Sequence, residues 1–173
     1  MVRHSAMRVL GAVVLVSIAW TASTRAQSAA ALESLQFLLG QWEGIGDQAG
    51  ATGGFTFAPD VQGRVIVRTN YSNTPATATT PASRHDDLMV IYVDGDRVKA
   101  DYFDNEGHVI RYVAETRPGE VVFVSEIKPA EPRYRLTYSR QSATAINGRF
   151  EVAPPGKPDG FTPYLSWGAR KIK

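Results

Sequence analysis

The sequence predicts an all-β fold: a single antiparallel β-barrel of about ten strands with a short N-terminal helix, a β-sandwich being the alternative. After Gly40 the apolar, aromatic and β-branched residues fall into short runs with a period of two, the signature of strands. The breaks between runs carry hairpin residues, among them Asp94-Gly95, Asp104-Asn105-Glu106-Gly107 and Pro118-Gly119, so neighbouring strands are antiparallel. Only one helical segment is left to cover the sheet, and a sheet of this size loses its exposed edges most simply by closing on itself.

Length and composition set the frame for this reading. The chain has 173 residues, 43% of them hydrophobic and 21% charged, with ten prolines and fifteen glycines. That describes one loop-rich globular domain, whereas a disordered chain is poorer in aromatics and richer in charge. There is no cysteine, which excludes a disulfide framework, a thiolate metal site, a cysteine nucleophile and a lipidated cysteine.

Residues 1–26 read as a secretory signal peptide. Arg3 and Arg8 form a basic opening, residues 9–20 are an uncharged and mostly apolar run, and Thr24 and Ala26 place small residues before a cut. The run of about twelve residues falls short of the roughly 20 that span a bilayer, so stable membrane insertion is not expected. The expectation is export to the periplasm or the medium, with a mature N-terminus near Gln27 and one barrel domain over 27–173. Losing Arg3, Arg8 and Arg25 leaves sixteen basic against seventeen acidic side chains, a net charge of −1. The basic balance of the full chain, net +2, therefore gives no argument for a nucleic-acid partner.

Each element follows from local chemistry. Ser28 is placed to cap a helix whose Leu32, Leu35, Phe37, Leu38 and Leu39 recur at three- and four-residue spacing until Gly40 ends it. Strands are predicted over 41–46, 54–58, 64–72, 87–93, 97–103, 108–115, 120–127, 133–140, 144–152 and 163–171. Residues 73–83, rich in Thr, Ala and Pro without periodicity, read as a loop.

Hairpin register then says which side chains share a face. A two-residue turn at Asp94-Gly95 sets Met89 and Ile91 against Ala100 and Val98. A turn over 104–107 sets Tyr102 against Val109, Ala100 against Arg111 and Val98 against Val113. The Pro118-Gly119 turn pairs Arg111 with Glu126, and a five-residue loop before Arg133 pairs Glu126 with Tyr134 and Val122 with Tyr138. One apolar, inward face thus holds Met89, Tyr102, Arg111, Glu126, Tyr134 and Tyr138, the candidate ligand-binding residues. An inward arginine is costly to desolvate unless paired, so Arg111 and Glu126 need each other or a ligand. Beside tyrosine hydroxyls, such a guanidinium is suited to clamp the carboxylate or polar head of an amphiphile; a cross-strand ion pair, inside or outside the barrel, is the plainer reading.

Residues 37–46, Phe-Leu-Leu-Gly-Gln-Trp-Glu-Gly-Ile-Gly, resemble the opening of calycin-type barrels, in which a short helix leads through Gly-x-Trp into the first strand. The form Gly40-x-Trp42-x-Gly44-x-Gly46 is closest to the nitrobindin-like branch and to bacterial lipocalin-like domains of unassigned function. The resemblance implies a ligand cavity and a Trp42 packed at the closed end beneath a basic side chain of the last strand, Arg170 or Lys171 here. In the nitrobindin branch it also implies a haem held by a late histidine. This chain departs there: its last strand reads Tyr164-Leu165-Ser166-Trp167, and only His85 and His108 stand beyond the leader. No haem or other cofactor is expected, Tyr164 being the one late side chain of a type that can ligate haem iron.

The remaining motifs are weaker. Gly44-Ile45-Gly46 lacks the third glycine and the following helix of a dinucleotide loop. Arg84-His85-Asp86-Asp87 with Asp104 and His108 has the donors of a metal site but no fixed ligand spacing, and reads as solvated loop and turn. Asn70-Tyr71-Ser72 has the form of a glycosylation acceptor. No nucleophile elbow, P-loop or zinc-protease motif is present. The expected function is an exported binding barrel for a small apolar or amphiphilic molecule. The alternatives are an isomerase- or cyclase-like barrel enzyme with Glu126 as proton carrier, and an envelope protein without a cavity.

Overall fold

The computed structural model describes residues 31–45 and 50–173. The leader, the cut near Gln27, the Ser28 cap and Gly46 lie outside the described residues. Ten strands form a closed antiparallel barrel: β1 (Gly40–Ile45), β2 (Thr52–Asp60), β3 (Val65–Thr74), β4 (Ser83–Asp94), β5 (Arg97–Asp104), β6 (Val109–Arg117), β7 (Glu120–Ser125), β8 (Arg133–Arg140), β9 (Ala145–Ala153) and β10 (Thr162–Lys171). Each strand pairs with its chain neighbours. β1 also pairs with β10, from Trp42 opposite Lys171 to Ile45 opposite Gly168, and this closure rules out the sandwich.

The predicted short helix is present: residues 31–33 are α-helical, and the chain then tightens, with the Leu35, Leu38 and Leu39 N–H groups donating to the carbonyls three residues earlier and Gln36–Leu38 forming a final 3₁₀ turn. Leu32, Leu35 and Leu38 are buried, so the segment stoppers one end of the barrel with leucine. Gly40 turns the chain from this plug into β1 at φ +123°, and a Cβ there would run into the Lys173 carbonyl and the Lys171 side chain. Trp42, 2% exposed, joins plug to wall: its indole N–H donates to the Leu38 carbonyl at 2.7 Å, and its ring stacks on Phe55. The basic side chain over the indole is Lys171, whose Nζ stands 5.3 Å from the ring centroid. Arg170 points the other way and pairs with Glu43 on the outer surface at 2.9 Å, so the expectation for Arg170 is corrected to Lys171.

Register decides which face of each strand is inside. The β4–β5 turn is centred on Gly95-Asp96, one residue later than expected, and pairs Met89 with Tyr102 and Ile91 with Ala100. That shifts partners by two residues and leaves the inward set unchanged. The β6–β7 register is the one expected, but the β5–β6 and β7–β8 connections each differ by one residue, which exchanges faces. At β5–β6 the Asp104 carboxylate accepts from the N–H groups of Glu106 and His108, drawing His108 into the turn so that pairing begins at Phe103 and Val109. At β7–β8 the Ser125 hydroxyl accepts from the Tyr134 N–H, and Val124 faces Arg135 rather than Leu136. The first slip turns β6 and β7 over, and the second restores β8. Inside therefore stand Ile110, Tyr112, Val121 and Phe123, while Arg111 and Glu126 face solvent.

β4 starts four residues earlier than predicted and pairs with β3 out to Thr74 and Ser83, leaving only 75–82 as loop. His85 and Asp87 are consequently strand residues that face inward. Trp42→Ala should lower stability by about 3–5 kcal/mol, because it removes a large buried ring together with its bond to the plug. Urea denaturation followed by circular dichroism checks this; an unmoved midpoint would mean the plug is held without the indole.

Candidate functional site

Among the described residues the buried charged centre of the interior lies on β3 and β4. Alternation along β3 puts Ile66, Arg68 and Asn70 inside, and along β4 puts His85, Asp87, Met89 and Ile91 inside. Arg68 is 5% and Asp87 8% exposed, and the Arg68 Nη2 pairs with the Asp87 Oδ1. The Arg68 Nη1 donates to the Tyr138 hydroxyl at 2.7 Å, and the Asn70 amide donates to the Asp87 Oδ2 at 2.8 Å. Burial opposes the guanidinium charge, but Tyr138 and Asp87 more than offset it and hold Arg68 protonated, above its ordinary value. Its Nε is the one buried side-chain polar atom without a hydrogen bond among the described residues.

From Asp87 the network continues toward the open end. The His85 Nε2 is 3.3 Å from the Asp87 Oδ2 and 3.2 Å from the Tyr102 hydroxyl, and its Nδ1 is 3.1 Å from the Glu106 Oε1. Tyr102 donates to the Asp104 Oδ2 at 3.2 Å, and the same oxygen lies 2.8 Å from the His108 Nδ1. Burial alone would raise the Asp104 pKa, yet the His108 and Glu106 N–H groups and the His108 ring hold it below the ordinary carboxylate value. Burial is also the main cause that pushes the Tyr102, Tyr112 and Tyr138 hydroxyls upward, so all three phenols stay neutral across the physiological range.

Around this wall is a cavity of about 1360 Å³, lined by Arg68, His85, Asp87, Tyr102, Asp104, Ile110, Tyr112, Tyr134, Leu136, Tyr138, Phe150 and Trp167 among others. Its lining includes outward-facing Arg149 and Ser166, so the volume counts an open approach along β9 and β10 as well as the interior. Aromatic contacts fix the other walls. Tyr134 stacks on Phe150 at 5.8 Å, and Tyr138 meets Phe55, Phe57 and Trp167 at 5.9, 5.4 and 5.9 Å. The Trp167 indole lies across Gly148, where any Cβ would overlap it. Tyr112 and Tyr134 line the cavity, and their hydroxyls make no protein hydrogen bond among the described residues.

Of the six residues expected to bind ligand, Tyr102, Tyr134 and Tyr138 line this cavity. Met89 faces inward but is wholly buried in the core, between Arg68 on β3 and Tyr102 on β5. Arg111 and Glu126 are opposite one another, as the Glu126 N–H to Arg111 carbonyl bond of 3.1 Å records, but both side chains are exposed on the outer face and form no salt bridge. The inward guanidinium and carboxylate are Arg68 and Asp87. Sequence contained a signal for them, since Asp87 shares the parity of Met89 and Ile91, and Arg68 that of Ile66. Asn70 of the glycosylation motif has its amide engaged on Asp87. No protein-family model matches the chain, and no curated protein matches it.

Removing one member of the buried pair strands the other. Arg68→Met should cost about 3–5 kcal/mol, and adding Asp87→Leu should recover much of that loss. Arg111→Met should stay within about 0.5 kcal/mol of the parent, as expected of an exposed side chain. Denaturant midpoints of the four proteins test the assignment; a large loss at Arg111 would return that residue to the interior.

Proposed function

We propose that the protein is an exported binding barrel that holds a small apolar or amphiphilic molecule in its interior. The observation that supports this most directly is the cavity: about 1360 Å³ with its approach, walled by aromatic rings and with its buried charged pair, Arg68 and Asp87, on the β3–β4 wall. Ligand sites of roughly 300–1,000 Å³ share this character, mostly apolar with a few convergent polar groups. Within this reading the barrel is of the calycin type and resembles the nitrobindin-like branch and bacterial lipocalin-like domains, a likeness supported by Gly40-x-Trp42-x-Gly44 at the plug and by Lys171 over the indole. Haem does not belong to this reading. His85 and His108 are engaged with Glu106, Tyr102 and Asp104, and Tyr164 is 76% exposed at the rim. The apolar leader supports export.

A second reading, a barrel enzyme that moves a proton on its bound molecule, draws on one specific observation. His85, Tyr102 and Asp104 form a hydrogen-bonded chain against the cavity. Glu126 has no part in it, so Tyr102 and His85 would carry the proton.

Native mass spectrometry of the protein purified from its own host tests the binding reading. The expected result is a mass adduct released by organic extraction and absent from Val152→Trp, which places an indole in the cavity. An adduct-free protein that also fails to take up apolar probes would reject binding, and an adduct that emerges chemically altered after incubation would favour the enzyme.

A further inference from the structure

We infer that the cavity takes a molecule whose polar end is uncharged, a hydroxyl or carbonyl oxygen on an apolar body, and turns away the corresponding carboxylate. The inference rests on the binding reading and concerns which head group the interior accepts. Two arginines line the cavity, Arg68 and Arg149, against four carboxylates, Asp87, Asp104, Glu106 and Glu120. Both arginines are already answered. Arg68 has Nη2 on Asp87 and Nη1 on Tyr138, and the Arg149 Nε lies 3.4 Å from the Glu151 Oε2. Among the described residues an entering carboxylate would meet no unpaired arginine and would add one more negative charge to a lining whose acids already outnumber its arginines, where partial burial strengthens like-charge repulsion.

The groups left to receive a ligand are neutral. Tyr112 on β6 and Tyr134 on β8 border the cavity with their hydroxyls unpaired among the described residues, Tyr112 within electrostatic reach of Arg68, Tyr134 and Tyr138. A phenol both donates and accepts, which suits a hydroxyl or carbonyl oxygen. An ammonium group gains little here despite the acidic lining, because the inner carboxylates are saturated: Asp87 by Arg68 and Asn70, Asp104 by Tyr102, His108 and two backbone N–H groups. The apolar body has Ile110, Leu136, Phe150 and Trp167 to lie against.

Trp167 borders the cavity and provides the optical signal. Its fluorescence in the purified protein is titrated at pH 8 with 1-dodecanol, dodecanoate and dodecylamine, which share one chain and differ in head group. The alcohol is expected to bind at least tenfold more tightly than the acid and more tightly than the amine. In Tyr112→Phe/Tyr134→Phe the alcohol should lose about tenfold and the acid little. Asp87→Asn, which frees the Arg68 guanidinium, should strengthen dodecanoate at least tenfold; if that variant does not fold, the tyrosine pair carries the test alone. Saturable binding with the acid or the amine tightest, or an alcohol affinity unchanged in the double phenylalanine variant, overturns the head-group inference while leaving the binding barrel intact. Failure of all three to bind, together with an adduct-free native protein, overturns both.

Discussion

A guanidinium inside an apolar barrel costs several kcal/mol to desolvate, and that cost organises the interior of this protein. Arg68 is tolerable because Asp87 lies diagonally across the β3–β4 ladder and because Tyr138 reaches over from β8 to accept its second N–H. Those two requirements tie the opposite walls of the barrel together. They also explain the crowd around the pair. Once Asp87 is buried its second oxygen needs a donor, supplied by Asn70, and the imidazole of His85 closes the remaining side. Tyr102 and Asp104 then extend the polar wall outward until His108, half exposed, meets solvent. Polar residues form one continuous strip because each buried member needs another.

Much of the architecture follows from sequence alone because closed barrels are written in repeated local signals. Alternation, the hairpin residues and the Gly40-x-Trp42 entry each speak for their own neighbourhood, and ten of them agree. The site is another matter. Its membership depends on parity, which accumulates along the chain, and a single residue of error reverses every later face until a second error cancels it. Two such slips occur, at Asp104 and at Ser125, and both come from a side chain replacing a backbone partner in a connection. Their effect is confined to β6 and β7. That is why Tyr102, Tyr134 and Tyr138 are inside as read, while Arg111 and Glu126 are outside and Tyr112 has taken the inner position. The Arg68–Asp87 pair is harder to read for a different reason: residues 75–82 join β3 to β4 in place of a short hairpin turn, so nothing local sets the register that brings the two together.

The two ends of the barrel have opposite characters, and each follows from what closes it. At the plug, leucines and the Trp42–Phe55–Phe57–Tyr138 aromatic series present apolar surface, and the Trp42 indole N–H is taken by the Leu38 carbonyl. Toward the mouth the acids and histidines sit where water can share their charge. A molecule lying along the barrel axis with its apolar end at the plug would bring its head to the tyrosines midway, between the two regimes.

The placement of Trp167 gives this interior an adjustable width. Its indole lies flat only because position 148 has no side chain, so the space available to an occupant is set by an atom that is missing from the opposite strand. One added methyl at Gly148 would lift the ring toward Tyr138 and narrow the bore without touching any polar group. Among proteins built on this frame, the identity of the residue facing that tryptophan would therefore act as a gauge of occupant girth, independent of the tyrosines and charges that read the head.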